Sequence, residues 1–278
     1  MTGGLTERTI NDFGDQWTRY TENDGYYASP ELLADVFGPL VAPEALRGKR
    51  VAEIGSGTGR IVGMLLSGGA AHVTAVEPSR AMGVLRRNTE ENATRITYLQ
   101  CRGDQLPQYP QQDAIVSIGV LHHIPDPKPV VAAAYNALRP GGWMVAWLYG
   151  WEGNSAYLGL VLPIRKVTTR LPHVVLAPIC RFLNGALAIY IWLARRFPLP
   201  LRDYMTEVIG HFSANKRYLV IYDQLRPAYA KYYRREEALR LFEEAGFKDV
   251  KVHHRHGYSW TVLGKRPIED GNDCNDHP

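Results

Sequence analysis

The chain is poor in several features that would define common functional classes. Its 278 residues hold three cysteines, Cys101, Cys180 and Cys274. They lie far apart with no CxxC pair, which excludes a disulfide framework and a zinc knuckle. No run of Lys and Arg is present, and the net charge of +4 is spread along the chain. A nucleic-acid partner is therefore not expected. The first ten residues, MTGGLTERTI, lack an apolar core, so no secretory leader is expected and the chain reads as cytoplasmic. The longest apolar region, Leu171 to Arg196, is interrupted by Arg181. Its uncharged piece, Phe182 to Ala194, is shorter than a bilayer of about 30 Å requires. Pro172 and Pro178 are expected to break any helix running through it. A buried or interfacial helix pair is the expectation there.

What is present suits a filled core, with 45% hydrophobic and 22% charged residues. Residues 1–44 form an aromatic, helical cap, with a helix expected from Pro30 to Leu40, Ser29 as N-cap and Pro30 as first residue. Residues 45–150 alternate strand-like segments (RVAEIG, AHVTAVE, ITYLQCR, DAIVSIG, GWMVAWLY) with segments of helical spacing. That alternation predicts parallel crossovers and a doubly wound α/β sheet. Residues 151–233 break the rhythm as an apolar helical insertion. Residues 234–268 resume it with an amphipathic helix closed by Gly246 and two antiparallel strands. Residues 269–278 read as a tail.

The sharpest local signal is VAEIGSGTGR, where Gly55, Gly57 and Gly59 follow a strand ending in Glu53. Glycine lets the backbone curl and lets a ligand approach without meeting a Cβ. A dinucleotide loop spaces its glycines G-x-G-x-x-G so that a pyrophosphate sits on the helix N-terminus. Here the spacing is one residue tighter, and the Glu53 carboxylate would repel a pyrophosphate. It would attract a ligand carrying an ammonium group. A cationic cofactor is the better reading.

These residues resemble the class I S-adenosylmethionine-dependent methyltransferases, in the branch that includes polyprenyl-quinone and small-molecule methyltransferases. VAEIGSGTGR is similar to the family's first motif and TAVEPS to its second. CRGDQLP, QDAIVSIGVLHHIPDP and LRPGGWMVAWLYG resemble the later ones. The resemblance covers residues 49–150 and, more loosely, 234–266. It implies a Rossmann-like seven-stranded sheet with helices on both faces and a helical insertion after strand five. It implies S-adenosylmethionine as cofactor, with Glu77 gripping the ribose hydroxyls and Asp104 contacting the adenine amino group. Glu53, Gly55, Ser56, Gly57, Thr58, Gly59, Pro78, Ser79, Gly119 and Val120 complete the implied pocket. Trp17 and Tyr20 are added from the N-terminal aromatics. Trp17, Tyr20 and Tyr27 offer a lid over the sulfonium, or else belong to a helix stapled onto the sheet.

His123 and His122, after strand four, and His211, in the insertion, are the candidates for a general base. His253, His254 and His256 invite a metal reading, with His254 and His256 expected to share a strand face, but no Cys or carboxylate joins them nearby, and a rim of packed rings is preferred. No metal site is expected. Arg165, Lys166, Arg170, Arg181, Arg195 and Arg196 punctuate the insertion. That pattern fits a substrate lid, a homodimer contact or a peripheral membrane contact through residues 155–200. The expected activity is O-methylation of a hydrophobic or glycosylated small molecule. C-methylation of a quinone-like ring is the alternative, and a non-catalytic cofactor-binding module or a nicotinamide dehydrogenase is the rival from another class.

Overall fold

A computed structural model describes residues 2–268, and the expected tail at 269–278 lies outside them. The sheet is built from β1 (Arg50–Ile54), β2 (His72–Val76), β3 (Ile96–Leu99), β4 (Gln112–Ile118), β5 (Leu138–Tyr149), β6 (Lys248–Arg255) and β7 (Ser259–Lys265). Their spatial order is β3-β2-β1-β4-β5-β7-β6. The first five run parallel, while β7 pairs antiparallel with both β5 and β6. The central strands are mostly apolar and buried because helices cover both faces.

One face of the sheet packs Val51, Val73, Ala75 and Val116 against α2 (Pro30–Phe37), α3 (Arg60–Ser67) and α4 (Met82–Asn88). The other packs Ala52, Ile54, Ile115 and Met144 against α5 (Lys128–Ala137) and α9 (Arg235–Glu243). At α2 the Ser29 hydroxyl accepts from the Leu32 amide at 3.2 Å and Pro30 occupies the first turn. The helix stops at Phe37 rather than Leu40, because Gly38 turns to a φ of +57°.

Ahead of this core lies α1 (Thr2–Arg19), and between β5 and α9 lie α6 (Ser155–Thr168), α7 (His173–Ala194) and α8 (Ala214–Leu225). A single π turn at Tyr204–Val208 separates α7 from α8. Pro178 does not break α7, contrary to expectation; it sits in the helix's second turn. An interior proline loses a hydrogen bond and costs ~3 kcal/mol or more. Here it is flanked by Leu176, Ala177 and Cys180, all buried, and Leu176 and Cys180 pack on Tyr218, Tyr222 and Leu225 of α8. That packing offsets the lost bond. The 22-residue helix is therefore long and apolar enough to cross a bilayer, which corrects the expectation of a segment too short to do so.

His254 and His256 also depart from expectation, since they do not share a strand face. His256 lies in the β6–β7 turn at a φ of +47°, with Nε2 2.8 Å from Asp35 Oδ1. His254 stacks on Trp260 with ring centroids 4.2 Å apart.

Candidate active site

In an open parallel sheet, ligands settle at the carboxyl ends of the strands where the strand order reverses. Here the reversal falls between β1 and β4. A cavity of about 300 Å³ opens at that point. Glu53 at the end of β1, Glu77 after β2, Asp104 after β3, and Gly119 and Val120 after β4 all line it. So do Gly55, Ser56, Gly57, Thr58, Pro78 and, from α1, Trp17.

Gly57 takes a φ of +51°, and a Cβ there would stand 3.3 Å from Trp17 Nε1. The backbone of the loop thus faces the indole without a side chain between them. Glu77 accepts the Gly57 amide on Oε2 at 2.8 Å and the Ser79 amide on Oε1 at 2.9 Å. Each oxygen keeps a lone pair, which suits a carboxylate that must also hold a diol. Gly59 is the N-cap of α3 at a φ of +85°, and Ser79 caps the turn before α4 by accepting from the Ala81 amide. Both shape the loop walls and neither lines the cavity. Asp104 is held side-on by Arg102, at 3.1 Å from Nε and 2.6 Å from Nη2.

Glu53 is 1% exposed, and its Oε2 has no hydrogen-bond partner. Burial pushes its carboxyl up to about 8. An orphaned buried carboxyl beside an open cavity suits a cationic ligand group, whose charge would restore the ionised form. The residues thus fit S-adenosylmethionine: an acid for its ammonium group, a second acid for a ribose, and side-chain-free backbone between them. Because a cation favours ionised Glu53, cofactor affinity is expected to rise with pH up to about 8, with a proton released on binding. Calorimetry in buffers of different ionisation enthalpy reads that release, and a pH-independent affinity would contradict it. Glu77→Ala is expected to weaken cofactor binding at least about tenfold. It removes charge-assisted hydrogen bonds worth about 1.5–3 kcal/mol each. Unchanged affinity would take Glu77 out of the site.

A second cavity, of about 410 Å³, adjoins the first, and Phe13, Trp17, Tyr27, Gly119 and His123 line both. Aliphatic and aromatic side chains make most of its wall, from Leu32 and Val36 of α2 to Leu183 and Leu187 of α7 and Met205 of the π turn. One group of its polar side chains centres on Gln224 of α8. The Gln224 Oε1 accepts from Tyr157 and Tyr232 at 3.0 Å each, and its Nε2 donates to the Tyr149 hydroxyl at 2.9 Å. Buried Arg165 holds that end of α8 through the carbonyls of Gln224 and Pro227, a cation at a helix C-terminus.

Of the three histidines, only His123 reaches the cavities. Its Nδ1 donates to the Tyr229 carbonyl at 2.8 Å, leaving Nε2 as the bare acceptor, and Phe13 packs edge-on at 4.8 Å. Burial lowers its pKa to about 4. His122 is fully buried, stacked on Tyr149 at 3.8 Å with neither ring nitrogen hydrogen-bonded, and burial holds it well below its usual pKa. His211 lies outside both cavities, its Nδ1 tied to the Glu207 carbonyl at 2.8 Å. Tyr20 is likewise turned away, its hydroxyl 2.9 Å from that of Tyr218.

The sequence reading missed Asp223. It lines the second cavity, one oxygen accepts from Gln16 of α1, and burial raises its carboxyl to about 7. The available signal was a single acid among the apolar positions of YLVIYDQL.

The strand order and the loop at the reversal point define a Rossmann-like cofactor-binding α/β protein. Residues 52–146 match the family described as "Methyltransferase domain", and in that region and in its fold the chain is similar to the S-adenosylmethionine-dependent methyltransferases. It is 35% identical over 131 residues to a ubiquinone biosynthesis O-methyltransferase of Aromatoleum aromaticum, covering 46% of this chain and 55% of that protein. A protein of the same name in Pseudomonas aeruginosa is 32% identical, covering 46% and 56%. The chain thus matches about half the length of these relatives. Among solved structures, the S-adenosylmethionine-dependent methyltransferase SibL superposes with a TM-score of 0.51 at 19% identity, covering 85% of this chain and 55% of that one. An O-methyltransferase family protein from Burkholderia thailandensis also gives 0.51, at 10% identity, covering 87% and 56%. At those identities the likeness is one of fold.

Proposed function

We propose that this chain transfers a methyl group from S-adenosylmethionine to a hydroxyl of a hydrophobic small molecule. The observation that carries the reading is the pair of adjoining cavities. One is lined by Glu53, Glu77 and the glycine loop; the other is larger and mostly apolar, and His123 and Gly119 belong to both. The mostly apolar lining of the second suits a hydrophobic organic molecule more than a polar glycoside.

The bound cofactor supplies an electrophilic methyl on a sulfonium. The protein's share is to orient the acceptor and take its proton, since positioning alone can remove roughly 7–11 kcal/mol of a barrier. His123 is neutral at physiological pH, and its bare Nε2 can accept a hydrogen bond from the acceptor hydroxyl and aim it. It is too weak a base to keep the proton. Asp223, at about 7, is matched to that task. Phe13 and Trp17 of α1 and Leu183 and Leu187 of α7 exclude water. Residues 155–200 thereby act as an acceptor lid.

The test is S-adenosylhomocysteine formation on a panel of hydrophobic phenols, with the product's new methyl located by NMR. An O-methyl product supports the reading. A ring-carbon methyl would favour the quinone-type alternative, against which stands the likeness to relatives named as O-methyltransferases. Cofactor binding without turnover on any acceptor would favour a non-catalytic module.

A further inference from the structure

We propose that the outer face of α6 and α7 docks onto an anionic lipid bilayer, with α7 lying along the surface rather than crossing it. The face is apolar and unpartnered among the described residues. Val174, Phe182, Ile189 and Trp192 of α7 are 76%, 77%, 63% and 52% exposed. With Pro178 and Gly185 they fall at helical spacings of three and four, so they form one stripe along the full helix. Leu160 and Val167 of α6, seven residues apart and so on one side of that helix, are exposed as well, at 65% and 61%. Exposed apolar area so concentrated marks an interaction surface rather than ordinary solvent-facing helix.

The charge around that stripe selects the occupant. Between Gly153 and Arg202 the chain has seven Lys and Arg and no Asp or Glu. Lys166, Arg170, Arg181, Arg195 and Arg196 are exposed, and among the described residues none forms an ion pair. A second copy meeting this face about a twofold axis would bring cations against cations with no acid to answer them. An anionic headgroup layer accepts both the basic rim and the apolar stripe.

Spanning is disfavoured by what the helix already holds. Its inner face carries Leu176, Ala177, Cys180, Ile191 and Ala194, all buried, with Leu176 and Cys180 packed on α8. Crossing a membrane would strip that packing and place Arg181 within hydrocarbon. On the reading of the second cavity as the acceptor site, docking has a purpose. Leu183 and Leu187 of the same helix line that cavity, so an amphipathic acceptor can leave the bilayer along the helix that walls it.

Vesicle flotation of the full chain tests docking without any use of activity, and isothermal binding of S-adenosylhomocysteine reads the active-site proposal separately. The chain is expected to float with vesicles of phosphatidylcholine mixed with phosphatidylglycerol, to float poorly with phosphatidylcholine alone, and to be released by salt. Replacing Arg181, Arg195 or Arg196 by Gln should lower partitioning about fivefold each. Phe182→Asp with Trp192→Asp should abolish it while leaving S-adenosylhomocysteine affinity intact, which certifies the fold. Failure to bind the mixed vesicles overturns the proposal. So does binding that ignores lipid charge and salt, retention in the bilayer through high-salt and alkaline extraction as for a spanning helix, or light scattering that gives a dimer dispersed by the double Asp variant.

Discussion

Asp223→Asn is expected to lower kcat by roughly 10²–10⁴-fold, the range removed with a positioned general base, while S-adenosylmethionine affinity stays close to that of the native chain. Asparagine keeps the size and can still accept from Gln16 Nε2, so the link from α8 to α1 survives. It cannot take up a proton. The pH dependence separates this role from a structural one. The carboxyl of Asp223 is raised to about 7, with burial the main cause and opposing contributions from the Gln16 bond and Arg60. Only the ionised form accepts a proton, so activity rises with pH as Asp223 ionises, through about 7, and levels off above it. In the variant that rising limb should vanish. A variant with native kcat, or one whose profile keeps the same limb, would remove Asp223 from the reaction and return the question to His123.

Gly57→Val should abolish cofactor binding at a modest cost in stability. Valine at a φ of +51° sits in a region that branched side chains rarely adopt, with strain of order 1–3 kcal/mol. Its Cβ would stand 3.3 Å from Trp17 Nε1, and its methyl groups would reach further into the cavity. Relief by rotating the loop would also lose the Gly57 amide's bond to Glu77. One substitution therefore disturbs three contributors to the same site. Calorimetric titration with S-adenosylhomocysteine, alongside thermal unfolding, checks the prediction. Native affinity would mean that the loop is a turn and nothing more.

The sheet and the glycine loop were readable because their signals are local. Alternating strand and helix patterns are enough to give a parallel, doubly wound sheet, and the Glu53–Gly59 spacing is contained in seven consecutive residues. Glu77 and Asp104 follow neighbouring strands, so the same local reading puts them at one sheet edge. The insertion was less legible because its contacts cross long sequence distances. Tyr20 meets Tyr218, and Asp223 meets Gln16, across roughly two hundred residues. Nothing near His211 in the sequence says that its ring turns back onto Glu207. The local rule that proline breaks helices gave the wrong expectation at Pro178, because the burial of Leu176 and Cys180 against α8 outweighs one missing hydrogen bond.

The first helix has a kinetic consequence. Phe13 and Trp17 of α1 wall both cavities, and Gln16 between them bonds Asp223. The cofactor chamber and the proposed acceptor chamber therefore share one wall, supplied by the same eighteen-residue element. On the proposed reading of the two cavities, release of one ligand is expected to loosen the enclosure of the other. Steady-state kinetics should then be ordered rather than random.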